Sequence, residues 1–168
     1  MPSSEIETLK QKLGAERARL WQVIEQAPPA VMQQPGEGGW SAQDILAHLA
    51  FAERINVKFA RLMLAQDNPV QIEAMAQDFP DYPGPFSLDD FNAYMFSRLH
   101  AQPLDQVLQD LRETRRATLD WMDTLTAEQL QRGGQHAAWG DQNIRGMLRI
   151  LALHDKTHTL ELRKRLVG

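Results

Sequence analysis

The sequence predicts an all-α fold: a four-helix bundle with a long crossover and an extra short helix between the second and third bundle helices. Three observations lead there. Apolar residues recur at steps of three and four along four long stretches, the period of a helix buried on one face. Runs that alternate apolar and polar residues are missing, so no strand is expected. Proline and glycine gather at a few places and mark where helices stop.

The first helix starts at Ser3 or Ser4, either of which can cap it, and runs to about Gln26. Its stripe is Ile6, Leu9, Leu13, Leu20 and Ile24, and Pro28 and Pro29 end it. After a loop through Gly36, Gly38 and Gly39, Ser41 caps the second helix. Asp44, three residues on, completes a capping box, and Trp40 and Ile45 can close a hydrophobic staple. The stripe reads Ile45, His48, Leu49, Ala52, Ile55, Phe59 and Leu62, with Arg54, Lys58 and Arg61 toward solvent, and ends near Ala65.

Residues 66–87 read as an irregular crossover, broken by Pro69, Pro80, Pro83 and Pro85 and carrying Phe79, Tyr82 and Phe86. It either covers a pocket or simply spans the surface. Ser87 caps the short extra helix, which ends around Ala101. Pro103 opens the next, whose buried face is Leu104, Val107, Leu108, Leu111, Leu119, Met122 and Leu125. Thr126 to Gln129 is another capping-box pattern. The polar loop 132–140 holds His136 and Trp139. Asp141 then caps a last helix with the stripe Ile144, Met147, Leu148, Leu151, His154, His158 and Leu162.

A chain of 168 residues is read as one domain, 1–168, long enough for a hydrophobic core. The net charge of −4 argues against nucleic acid as a partner. No run is long and apolar enough to suggest a membrane span. The acidic start, Met1 to Glu7, lacks the build of a signal peptide, so a cytoplasmic location is expected. There is no cysteine, which excludes disulfides, thiolate ligands and a protein thiol nucleophile. Any thiol must come from outside, and any metal must use His, Asp or Glu.

His154 and His158 are four apart and share one helix face, so both imidazoles can reach one ion. Two imidazoles in a stripe of leucines each need a partner, and a shared metal would satisfy both. His48, on the second helix, is either a third ligand or a core histidine bonded to protein. Three neutral imidazoles suit Zn, Ni, Fe or Cu and leave coordination positions open. Asp155 points about 100° away from His154, so it is not read as a general base. Asp44 and Glu161, each one turn from a histidine, could orient an imidazole or could be a cap and a surface charge. His100 and His136 read as surface residues. Arg115 falls near a buried stripe, where it could bind an anionic substrate or send its head to water.

Gly39-Trp40-Ser41-Ala42-Gln43-Asp44-Ile45-Leu46-Ala47-His48-Leu49 resembles the G-W-S-x-x-[DE]-x-x-x-H-[IL] signature of the DinB-like (YfiT-like) metalloenzyme superfamily, and His154 to His158 resembles its closing H-D-x-x-H. The resemblance covers nearly the whole chain. It implies a bundle with a divalent metal (Zn, Ni or Fe) on His48, His154 and His158, a small-molecule substrate and a homodimer. It also implies one of two activities. One is a thiol-dependent transferase or isomerase, with a low-molecular-weight thiol as possible co-substrate; an open position on the metal could also activate water, for a hydrolase. The other is the ClbS/DfsB-type branch, whose members act on or sequester a reactive small molecule.

Overall fold

The computed structural model describes residues 3–36, 38–66, 70–136 and 138–166. Four long helices form the bundle: α1 (Ser4–Gln26), α3 (Ala42–Ala65), α5 (Leu104–Met122) and α6 (Ile144–Leu166). A one-turn α2 (Pro29–Met32) follows α1, and α4 (Leu88–Leu99) is the extra short helix before α5. The main partner of α1 is α6, and that of α3 is α5, with α6 also lying against α3. The first two bundle helices in sequence are therefore not the chief neighbours in space.

Local chemistry explains the helix starts. The Ser3 hydroxyl accepts from the Ile6 amide at the start of α1. At α3 the capping box is complete: Asp44 N–H donates to Ser41 Oγ at 3.1 Å, and Ser41 N–H donates to Asp44 Oδ2 at 2.7 Å. Just before it, Gly39 turns the chain at φ +82°, where a side chain would be strained. Thr126 and Gln129 also make the reciprocal bonds the sequence suggests. Asp141 does not cap the last helix, because it lies in a strand. Asn143 does so instead, its Oδ1 accepting from the Gly146 amide at 2.8 Å.

Three short strands overturn the expectation of none. They are β1 (Val70–Gln71), β2 (Gly133–His136) and β3 (Gly140–Asn143), in the order β1-β2-β3. β1 runs parallel to β2, and β2 and β3 form a hairpin. They have two to four residues each, mostly Gly, Gln, Asn and Asp, too few for a period of two to show. Tertiary contact makes them. A Cβ on Gly134 would stand 2.8 Å from both Phe59 Cζ and the Val70 carbonyl, so glycine lets β2 slide between α3 and β1. The rest of the crossover is more ordered than its prolines suggest, with a 3-10 helix over Ile72–Asp78. Phe79, Tyr82 and Phe86 pack with Phe51 of α3 and with Phe91 and Tyr94 of α4. No described helix is long and apolar enough to cross a membrane.

The core has two apolar halves. One is built around Ile6, Leu13, Phe59, Met122 and Leu148, the other around Leu20, Leu46, Leu49, Leu111 and Leu162. Between them lies a charged layer with one residue from each bundle helix: Arg17, Glu53, Arg115 and Asp155, all at most 5% exposed. Arg17 donates to both carboxylates and to the Leu111 carbonyl. Arg115 likewise donates to Glu53 at 2.8 Å, to Asp155 at 3.0 Å, and to the Leu13 carbonyl. The Arg115 head thus neither reaches water nor waits for a substrate anion. Two arginines and two acids neutralise each other where single charges would be prohibitive.

Candidate metal centre

The buried line of α6 runs through Ile144, Leu148, Leu151, Asp155, Thr159 and Leu162. Asp155 takes the core position that the sequence reading gave to the histidines. His154 and His158 sit beside that line, half-buried, and turn toward α3. His48, also half-buried, meets them from the first half of α3. The Nε2 atoms converge: His154 to His48 is 3.2 Å, and His154 to His158 is 3.1 Å. One ligand atom from each ring lies within 4.8 Å of the others, so the three form a group that could hold one metal ion.

The donor chemistry fits a metal. Imidazoles bound to zinc at about 2.0–2.1 Å in a tetrahedron have nitrogens roughly 3.3 Å apart, close to the two spacings that His154 makes here. The Glu161 carboxylate can only accept, so the bond of 2.8 Å to His158 Nδ1 puts a proton on that nitrogen. In the neutral ring Nε2 then keeps its lone pair, directed at His154. Metal-binding histidines are oriented in this way by an outer carboxylate. Glu161 therefore does orient an imidazole. Asp44 orients no ring of the cluster: its oxygens bond Ser41 and, at 2.9 Å, Nδ1 of the surface residue His100. The Trp40 ring meets the edge of His48, with centroids 5.4 Å apart, and stacks on Phe96 of α4.

Burial, then the neighbouring imidazoles, push the pKa of His48 down to about 3. Burial, then His158 and Arg17, push His154 down to about 4. Both rings are neutral at neutral pH, the form that offers a lone pair to a cation. An open surface groove of about 1210 Å³ adjoins the centre, with Trp40 and Glu161 among the residues that line it.

The two remaining histidines differ from each other. His100 ends α4 on the surface, as expected, though tied to Asp44. His136 is buried, contrary to the expectation of a surface residue, because β2 carries it under the crossover. Its ring stacks on Trp139 at 3.9 Å, and Nδ1 accepts from the Ala138 amide at 3.0 Å. Burial pushes its pKa down to about 4. The unfolded chain therefore takes up a proton near pH 6.5 that the folded chain refuses until about pH 4. Stability from this group is intact above pH 6.5 and is lost as the pH falls through that window. In thermal melts of metal-free protein, His136→Gln should flatten the fall in Tm between pH 6.5 and 4.5 by a few degrees. Parallel profiles for variant and parent would refute this.

Comparison with known families agrees with this construction. The model of the DinB superfamily matches residues 12–162. The chain belongs to the DinB superfamily. Among solved structures, it is similar to YfiT from Bacillus subtilis, described as a probable metal-dependent hydrolase with an unusual four-helix bundle topology. That match has a TM-score of 0.69 and 21% identity, and covers 98% of this chain and 90% of the other. It is also similar to the colibactin self-resistance protein ClbS, solved in complex with double-stranded DNA. There the TM-score is 0.67 and identity 13%, over 98% of this chain and 96% of the other. No curated protein matches the sequence significantly. At these identities the likeness establishes the shared fold.

Sequence reasoning missed the charged layer. Its signal was present: Arg17 continues the stripe between Leu13 and Leu20, and Glu53 lies one turn beyond Leu49. With Arg115 and Asp155, each bundle helix places one charge where its stripe predicts an apolar residue.

Proposed function

We propose that the protein is a metal-dependent enzyme that acts on a small electrophilic molecule, by thiol transfer or by hydrolysis. His48, His154 and His158 would hold a divalent ion, Zn, Ni or Fe. The observation that carries this reading is the convergence of three Nε2 atoms from two helices, with Glu161 fixing one ring. Such an ion supplies a Lewis acid and lowers the pKa of a thiol or water beside it. The chain contributes the rest. Burial keeps His48 and His154 neutral, and Trp40 holds the His48 ring from the side. The groove past Trp40 and Glu161 gives a substrate room to approach. Without cysteine, the chain must take its thiol as a low-molecular-weight co-substrate. The exposed Leu153 and Leu160, seven residues apart on the outer face of α6, favour the homodimer that the family resemblance implies.

Metal-free protein titrated with zinc or nickel should take up one ion per chain. The loaded protein should then speed either displacement of chloride from 1-chloro-2,4-dinitrobenzene by a thiol, across a panel of small thiols, or hydrolysis of an activated ester. Failure to bind stoichiometric metal would sink the reading. The three imidazoles would then be polar groups of a non-catalytic small-molecule binder.

A further inference from the structure

A second recess lies along α3, about two turns beyond His48. It is a cavity of about 50 Å³ between α3, the crossover, α4 and β2. Its walls are apolar, among them Phe51, Ile72, Met75 and Phe91, all under 9% exposed. Half-buried Phe86 and Asn92 also line it, and Asn92 lines as well the small pocket beside His48. Besides Asn92, two polar side chains break this lining, Asn56 and His136, each 6% exposed.

Asn56 is the informative one. Its Nδ2 donates to the Ala52 carbonyl at 2.8 Å. The amide cannot be turned over, because Oδ1 would then face that carbonyl oxygen. Oδ1 is fully buried and has no hydrogen-bond partner. A buried acceptor without a protein partner is costly, and a donor entering the recess would relieve that cost. His136 complements it. Its Nδ1 is occupied as an acceptor from Ala138, so the neutral ring carries its proton on Nε2. No described residue accepts that proton. One wall thus offers an acceptor and another a donor, inside an aromatic shell.

We infer that this recess binds the polar tip of a small ligand, a primary carboxamide or a hydroxyl, which both donates and accepts a hydrogen bond. The size agrees. One water needs about 10–15 Å³ on this scale, and an apolar cavity of about 150 Å³ holds benzene. The recess therefore suits two or three heavy atoms, the carboxamide or hydroxyl group itself, with the rest of the ligand outside it. Its place as a substrate subsite rests on the function proposed above, since it opens along the same helix as His48. Binding in the recess itself needs no metal.

The test is an NMR titration of the metal-free protein with isobutyramide and with methyl isopropyl ketone, which matches its shape but has no donor. Isobutyramide should bind saturably at millimolar concentration and shift the Asn56 side-chain amide and the His136 ring. The ketone should bind at least fivefold more weakly. Asn56→Leu should erase that preference and raise Tm, since it removes an unsatisfied polar atom, and the Tm shows that the variant is folded. His154→Ala should bind isobutyramide as the parent does. Equal binding of amide and ketone, unsaturable shifts, or an unchanged preference in folded Asn56→Leu would overturn the inference. If the amide binds but no metal does, the subsite stands and the enzyme reading falls.

Discussion

Glu53→Ala is expected to destabilise the protein by about 3–5 kcal/mol, the cost of breaking a buried ion pair. Glu53 takes one bond from Arg17, at 2.7 Å, and two from Arg115, at 2.8 and 3.0 Å. Burial alone would raise its pKa, but Arg115 and Arg17 more than offset that and lower it, so the group is ionised. Removing it leaves two guanidinium groups sharing Asp155, one of them uncompensated between two apolar half-cores. A domain of this size has about 5–15 kcal/mol in total, so the variant should be near the edge of folding. Urea unfolding followed by circular dichroism reads the loss directly. A change under about 1 kcal/mol would mean that water reaches the layer and screens it. Replacing all four charges by leucine and methionine should cost far less than Glu53→Ala, because no ion is then stranded.

His154→Ala should abolish stoichiometric metal binding, with affinity falling at least about 100-fold, beyond the 10–100-fold typical of losing an outer partner. Of the three rings His154 is the hub, since its Nε2 lies within 3.2 Å of both others. Glu161→Ala, which removes only the bond to His158 Nδ1, should weaken binding by about 10–100-fold and leave one ion per chain. Calorimetric titration and elemental analysis distinguish these outcomes. The metal-free variant should melt close to the parent, because His154 lies beside the buried line of α6 and not within it. A His154→Ala protein that still holds one tight ion would place the metal elsewhere.

Much of the bundle was legible because its signals are local. Ser41 and Asp44 cap a helix with atoms three residues apart, and the leucine stripes repeat every turn. The histidine pair was legible for the same reason, and the motif around His48 supplied the third ring. What the sequence hid is what distance creates. β1 and β2 pair residues 70 and 134, and no property of Gly133-Gly134-Gln135 announces that. Arg115 looked like a residue whose head reaches water, because its two acids arrive from other helices. His136 was misread as exposed because burial by a crossover leaves no periodic trace. The identity of the metal is not a matter of periodicity or packing, and donor chemistry narrows it only to a class.

The pairing of α1 with α6 bears on how the chain folds. An up-and-down bundle can begin by zipping successive helices into a hairpin. Here α1 must wait for a partner more than a hundred residues away, as in the contact of Arg17 with Asp155. Mean sequence separation between contacts is thereby raised, and folding slows as loop closure precedes its reward. During synthesis Arg17 stays without one of its acids until residue 155 emerges. The histidine cluster, whose rings also come from both halves of the chain, can then form only once α6 has packed against α3.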